Sequence, residues 1–385
     1  MAERIRIRMY HVGFGDCLLI TFPDDKHMLI DCGVHLQDSD DMIRPTVDNI
    51  KDVTNGRIHV VVGTHYHYDH ICGFGKEADT FNAMTADEVW LPWTVDQSIP
   101  AVRAAFNAEK QLMRVLEARS DPRLEEFKLM AVSNKDSLGT LKGLWGGLRP
   151  RLRFLPEEEG LSLETDSIPG MTVQFIGPLR DNPYLSKGDP GKDSYLADME
   201  NAEQDGRSSP FDEDWIIRAE QAYNQFPTLK GKAPLEYNDL LDDFLSASGV
   251  KLNNSSLIML IRYGGAAMLF PGDAEYGAWL DAYESTDLQA QLGDINLLKV
   301  SHHASYNGTP ASLIDNMDWF VSMVSTKTIP SYPKIPKETL MEELDSHGPL
   351  IRSDSPPTEK KHYSKHSVVP GDFWTDVRLK WSGVS

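Results

Sequence analysis

Cysteine is scarce in this chain: Cys17, Cys32 and Cys72 are the only three in 385 residues. Three thiols cannot build a disulfide framework, and their odd number fits a reducing compartment. Long apolar runs are missing too. The best candidate, Ser256 to Phe270, is broken by Arg262, Gly264 and Gly265, short of the roughly 18 uninterrupted residues of a membrane helix. The opening residues Met1-Ala-Glu-Arg-Ile-Arg-Ile-Arg alternate charge with apolar groups where an export signal would carry an apolar core. A soluble, cytoplasmic chain without membrane association is the expectation. Positive charge is also short, with 38 Lys and Arg against 58 Asp and Glu, a formal net charge of −20. Such a surface repels phosphate polymers unless a local cationic patch or a metal overrides it.

What is present is globular. Hydrophobic residues at 41% and charged residues at 25% support a packed core and exclude a disordered or collagenous chain. At about 150 residues per domain the length corresponds to two modules, or to one large module with an insertion. Ile5, Ile7 and Met9 alternate with Arg6, Arg8 and Tyr10 as in a strand, and strands Cys17 to Phe22 and His27 to Asp31 follow across tight turns. A helix is predicted from Pro45 to Gly56, then a strand from Ile58 to Gly63, whose unbroken Val60-Val61-Val62 requires cover on both faces. Helical spacing marks Ala101 to Arg119 and strand character Met171 to Ile176.

Between about 179 and 250 the character changes to an acidic stretch with scattered apolar anchors. It reads as an insertion, partly helical at Trp215 to Tyr223 and Leu235 to Leu245, and as the source of much of the negative charge. Strands Ser256 to Arg262, Ala266 to Phe270 and Ile295 to Val300 resume, with a helix at Ala274 to Tyr283. Trp319 to Val324 and Phe373 to Trp381 are the last strands. Two sheets covered by helices, in four layers, account for this order.

Directly after the strand Ile58 to Gly63 stands Thr64-His65-Tyr66-His67-Tyr68-Asp69-His70. Four groups able to bind a metal lie within six residues at a strand end. In an extended segment His65, His67 and Asp69 project to one side and His70 to the other, which would serve two neighbouring ions. Imidazole with carboxylate suits Zn²⁺, Mn²⁺ or Fe²⁺ better than Ca²⁺ or Mg²⁺.

This segment resembles the HxHxDH signature of the metallo-β-lactamase fold hydrolases, and other motifs match in order. Asp31 in Met28-Leu29-Ile30-Asp31-Cys32-Gly33 is similar to the family's first-motif aspartate. Asp273 in Pro271-Gly272-Asp273 resembles the aspartate that bridges both metals, and His302-His303-Ala304-Ser305 resembles the motif supplying the last ligand. Val12-Gly13-Phe14-Gly15-Asp16, Asn254-Ser255-Ser256-Leu257 and Leu298-Lys299-Val300-Ser301-His302-His303 look most like the ComEC-type branch. The resemblance implies a four-layer αββα metallo-β-lactamase sandwich over 1–178 and 251–330. The acidic insertion at 179–250 and a C-terminal extension at 331–385 that packs on the module complete the chain.

It further implies two divalent ions, Zn or Mn, held by His65, His67, Asp69, His70, Asp273 and His303, with Asp69, His302 and Asp31 as the catalytic residues. A hydroxide between the two cations would be the nucleophile. Asp31 would orient a ligand imidazole, or else cap a turn. Adjacent His302 and His303 cannot face one ion. The ligand-x-Ser pattern of the superfamily assigns His303 as ligand and leaves His302 to contact the substrate oxyanion or protonate the leaving group; the reverse is the alternative.

Two departures stand out. No histidine occurs between His70 and His302, so the superfamily's third-motif histidine is missing. In Tyr332-Pro333-Lys334-Ile335-Pro336, Ile335 stands where the ComEC-type branch has histidine. Cleavage of a phosphodiester, by a nuclease or nucleotide phosphodiesterase acting on single-stranded nucleic acid or a smaller ester, is the leading expectation. A hydrolase of a small ester, lactone or phosphocholine-type substrate is the alternative, as is a metal-stabilised regulatory or assembly subunit whose acidic insertion docks a protein partner. Trp90, Trp93, Trp145 and Trp215 are expected in core packing, as is Cys72. His347, His362 and His366 with Lys360, Lys361 and Lys365 form a basic tail patch.

Overall fold

Alternation along the first strand decides which way its sheet faces. In β1 (Arg4–Tyr10), Ile5, Ile7 and Met9 enter one buried cluster while Arg6, Arg8 and Tyr10 take the opposite face. The computed structural model describes residues 4–117, 125–157, 161–182, 185, 253–285, 287–329 and 332–380. After β1 come β2 (Leu18–Phe22), β3 (Lys26–Ile30), α1 (Ile43–Val53), β4 (Arg57–Val62), α2 (Tyr68–Lys76), α3 (Ala78–Ala83), β5 (Thr85–Pro92), α4 (Pro100–Glu117), α5 (Glu125–Leu141) and β6 (Arg151–Leu155). The next elements are β7 (Ser162–Glu164), β8 (Met171–Gly177), β9 (Ile258–Tyr263), β10 (Ala266–Phe270), α6 (Tyr276–Ser285), β11 (Leu297–Lys299), α7 (Ala311–Asp315), β12 (Val321–Val324), α8 (Glu338–His347) and β13 (Leu350–Arg352). The last strands are β14 (Lys361–His362), β15 (His366–Pro370) and β16 (Trp374–Lys380).

One sheet runs in the order β14-β15-β16-β1-β2-β3-β4-β5-β6 and the other β13-β12-β11-β10-β9-β8-β7. Their facing sides share one apolar core that includes Ile7, Ile20, Val60, Val62, Phe175, Met259, Met268 and Val321. Outside the first sheet, Val61 and Ile58 pack with Ile43, Val47, Ile71, Phe74 and Leu138 of α1, α2 and α5. Outside the second, Leu260 and Leu269 pack with Trp279, Leu313 and Leu344 of α6, α7 and α8. The fold is therefore a mixed α/β sandwich of two sheets with helices on both outer faces. Val60 to Val62 are covered on both sides, as their composition requires.

Several local expectations shift. The helix predicted at Pro45 to Gly56 starts two residues earlier and ends at Val53, where Gly56, at φ 71, turns the chain into β4. Residues 361–380 are integral strands of the first sheet, with β16 paired to β1 from Arg4–Lys380 to Tyr10–Trp374. The acidic insertion, its two helices and Trp215 lie outside the described residues, apart from 179–182 and 185. Among the described residues no helix is long and apolar enough to cross a membrane.

Strands β3 to β6 are mutually parallel, as are β10 to β13. Loops leaving the carboxyl ends of β3, β4, β10, β11 and β12 carry Asp31, residues 63–70, Asp273, residues 301–304 and Ser325. A crevice at strand carboxyl ends is where sheets of this kind place ligands.

Candidate metal centre

His65, His67, Asp69 and His70 do not lie on an extended segment. Helix α2 starts at Tyr68, after His67 in β conformation, so the first helical turn carries Asp69 and His70. The expected alternation of sides fails because helical rotation, not a pleat, separates them. Backbone contact seats that turn: Asp16 N–H donates to Asp69 O at 3.1 Å and Cys32 N–H to His70 O at 2.8 Å. A Cβ on Gly33 would collide with the Asp69 and His70 backbone, so glycine is needed for this approach.

Asp31 leaves β3 at φ 58, an uncommon conformation for a residue with a Cβ. Its carboxylate accepts the Thr64 N–H and the Thr64 hydroxyl, each at 2.7 Å, and lies 2.8 Å from His70 Nδ1. Burial raises its pKa against the opposing pull of His70 and Thr64. With Nδ1–H donated to Asp31, His70 Nε2 faces Asp273 Oδ2 at 3.0 Å, without the alignment of a hydrogen bond.

His303 is set the same way from the second sheet. Its Nδ1 donates to Ser325 O at 2.9 Å, which turns Nε2 to 3.2 Å from Asp69 Oδ2 and 3.3 Å from Asp273 Oδ2. His302, His303 and Ala304 all have positive φ, each costing about 1–3 kcal/mol. Lys337 N–H to Ala304 O and Ser305 N–H to His302 O, both 2.8 Å, hold this strained turn. His302 points elsewhere: it is half-buried, with Nε2 3.5 Å from Asn253 Nδ2. Of the two adjacent rings, His303 joins the cluster.

Asp69, His70, Asp273 and His303 each offer a donor atom within 4.8 Å of the others, and all four are buried. His65 adjoins them, its ring centroid 4.2 Å from that of His70, and its Nε2 is 3.0 Å from His67 Nδ1. Asp16, Asp31 and His70 form a second convergent group. Below it, Lys299 Nζ pairs with Asp16 Oδ2 and lies 3.9 Å from Asp273 Oδ1.

Burial would lower His70 and His303, yet Asp273 outweighs it, helped by Asp31 at His70; His70 is held well above the usual range and His303 at about 10. Burial would raise Asp69 and Asp273. Contact with His303 and the charge of His70 hold both below the carboxylate range.

These residues fit a divalent cation. Asp69 Oδ1 and Asp273 Oδ1 are buried without a hydrogen-bond partner, a costly state unless a cation takes them. Two imidazole Nε2 atoms face the same carboxylates, so each must carry a proton or yield its lone pair to a metal. Mixed imidazole and carboxylate donors favour Zn²⁺, Mn²⁺ or Fe²⁺.

Asp16 and Lys299 carry more weight here than the sequence reading gave them. A lysine inside the apolar run Leu297-Leu298-Lys299-Val300 was the available signal, since a fully buried lysine needs an acidic partner. Phe14 walls the site, its ring 4.3 Å from His303 and 5.6 Å from the stacked, half-buried Tyr332. Trp90, Trp93, Trp145 and Cys72 are buried in the core clusters. Lys334 is exposed, and the basic tail patch divides: His362 is exposed while His366 is buried against Tyr363 and Trp319.

A two-sheet sandwich with a buried histidine and carboxylate cluster at its strand ends is the class that fold and site define. Residues 11–86, which include His65 to His70, match the sequence profile of the Metallo-beta-lactamase superfamily. Among solved structures, the chain is similar to the metallo-beta-lactamase fold protein YhfI from Bacillus subtilis. The identity is 10%, over 91% of this chain and 98% of that one, with a TM-score of 0.39. No curated protein matches the chain.

Proposed function

We propose that this protein is a metal-dependent hydrolase of phosphodiesters, a nuclease or nucleotide phosphodiesterase. The observation that carries the reading is the buried quartet Asp69, His70, Asp273 and His303, whose donor atoms converge within 4.8 Å. We assign one divalent ion to Asp69, His70, Asp273 and His303 and a second to His65, His67 and Asp273, Zn or Mn in both. Charge supports two ions. With His70 and His303 neutral as ligands, four buried carboxylates (Asp16, Asp31, Asp69, Asp273) less one ammonium (Lys299) leave three negative charges, and two divalent cations turn that into one positive, which suits an anionic ester. The ions, when bound, supply a water deprotonated near neutral pH and positive charge for the attacked and leaving oxygens.

The chain's own groups prepare this chemistry. Asp31 fixes the tautomer of His70, Ser325 O fixes that of His303, and Lys299 with Asp16 steadies Asp273. Half-buried His302, beside the cluster, is assigned to the substrate oxyanion or to protonation of the leaving oxygen. Phe14 and Tyr332 offer an aromatic wall to a base or another flat group. The likeness of Val12 to Asp16, Asn254 to Leu257 and Leu298 to His303 to the ComEC-type branch supports the phosphodiester over a carbonyl substrate.

The test is turnover by metal-loaded protein of single-stranded DNA, RNA, a chromogenic bis-aryl phosphodiester and an aryl ester, with Asp273→Ala alongside. Phosphodiester turnover abolished in Asp273→Ala is expected. Ester turnover alone, or activity unchanged in the variant, sinks the proposal.

A further inference from the structure

The outer face of the first sheet carries a cationic arrangement at odds with a chain of net charge −20. In the antiparallel pairing of β1 with β16, Arg6 stands directly opposite Arg378, and Arg8 opposite Asp376. Arg8 takes both oxygens of Asp376, at 2.7 and 3.0 Å. Its remaining arm donates to Asn49 at 2.8 Å, and its guanidinium lies 4.3 Å from the Trp374 ring. Arg378 reaches the same carboxylate only at 3.4 Å, and Arg6 donates to the neutral Thr21 hydroxyl at 2.9 Å. One carboxylate thus stands among three guanidinium groups.

Like charges directly opposite on paired strands repel and destabilise the pairing. Here the repulsion is accompanied by two buried donors without partners, Arg6 Nε and Arg378 Nε, an arrangement that an intramolecular role leaves unexplained. The Arg378 side chain remains one-third exposed, so a small solute can reach it, beside half-buried Arg6. A guanidinium fork presents parallel N–H donors matched to two oxygens of a tetrahedral oxyanion. The pair lies four residues from Tyr10, toward the end of β1 away from the Asp16 loop, and on the face turned from the central core. It is thus distinct from the metal centre.

We propose that Arg6 and Arg378 form a binding site for a phosphate-type oxyanion, held between the two guanidinium groups on the back of the first sheet. A bound dianion would neutralise the two surplus charges that one carboxylate leaves among three guanidinium groups. The site does not rest on the reaction proposed above, because its occupancy is read without turnover.

The experiment is titration of the protein with orthophosphate at constant ionic strength, followed by thermal shift and calorimetry, in parent, Arg6→Gln, Arg378→Gln and Arg44→Gln. Saturable stabilisation of the parent is expected, weakened at least about tenfold in Arg6→Gln and Arg378→Gln and unchanged for the exposed Arg44→Gln. Should half-buried Arg6→Gln fail to fold, the more exposed Arg378→Gln carries the test. AMP binding as tightly as orthophosphate identifies a phosphomonoester end group, and orthophosphate binding alone identifies the free ion. No saturable effect in the parent, or an unchanged constant in Arg378→Gln, overturns the proposal.

Discussion

Lys299 Nζ lies 3.9 Å from Asp273 Oδ1 while paired to Asp16, and all three side chains are 2% exposed or less. A lysine this deep is charged because Asp16 and Asp273 outweigh the burial that would neutralise it. It joins the loop after β1 to the strand β11 of the opposite sheet, beneath the carboxylate that the proposed reaction uses most.

Removing only one member of that pair should be severe. Lys299→Met leaves Asp16 and Asp273 uncompensated, and a loss of about 3–5 kcal/mol is expected. The double variant Asp16→Asn with Lys299→Met should recover part of it, since the carboxylate that Lys299 pairs with is then neutral. Urea unfolding of the metal-free proteins measures both. Equal stability of single and double variants would count against the pairing.

Asp273→Ala should cut phosphodiester turnover by about a thousandfold or more, the scale expected when electrostatic stabilisation of the transition state is lost. Bound metal should fall by at least one ion per chain while the far-ultraviolet spectrum stays that of the parent. Elemental analysis after gel filtration checks the first point; full metal content in the variant refutes the ligand assignment.

Metal binding should release protons. Without metal, His70 is raised well above its ordinary pKa and His303 to about 10, so both rings are charged at pH 7. A cation taking both Nε2 atoms displaces about two protons. Calorimetry in buffers of differing ionisation enthalpy counts them, and release of fewer than one contradicts the assignment. The same shift has a stability sign. A raised folded pKa stabilises fully below the unfolded value near 6.5, and that contribution is lost as pH rises toward 10, so metal-free protein should weaken across this window.

Acid should weaken the fold elsewhere. Burial, helped by the neighbouring His59, depresses His27 to about 4, and burial with nearby Lys26 does the same for His59. The unfolded chain therefore binds more protons than the native one between about pH 6.5 and 4, and stability must fall as pH drops through that range. The double variant His27→Gln with His59→Gln should show a shallower fall in denaturation series at pH 7, 5.5 and 4.

Gly33→Ala tests whether backbone seating alone controls the site. Its Cβ would meet the Asp69 and His70 backbone and displace the first turn of α2 without removing any ligand. A loss of about 1–3 kcal/mol is expected, as for other overpacking substitutions, together with weaker metal binding. Unchanged metal affinity would show that the turn adjusts freely.

Much of this was legible in the chain itself. His65, His67, Asp69 and His70 are sequence neighbours, so their cluster is visible without a fold. Asp31, Asp273 and the His302–His303 pair follow apolar strands, and alternation or unbroken valine runs identify those strands wherever packing is regular. The side each ligand faces was not legible. An extended segment was expected at 64–70, but the helix begins at Tyr68, because Asp16 and Cys32 supply tertiary hydrogen bonds that local propensity does not encode. Asp16 and Lys299 were visible only as parts of longer motifs, since neither has its partner nearby in sequence.

The sequence by itself determined the kinds of donor, their order and the two-sheet, helix-covered composition, because these depend on residue type and short-range period. Only the tertiary structure decided that Asp69 and Asp273 share His303, that His303 and not His302 turns inward, and that Arg6 faces Arg378. The first two depend on loops and a helix start that strands far apart in the chain bring together, and the last on the register of β1 against β16. That register is set by the core that locks the sheets together, a sum over many weak contacts that no local stretch contains.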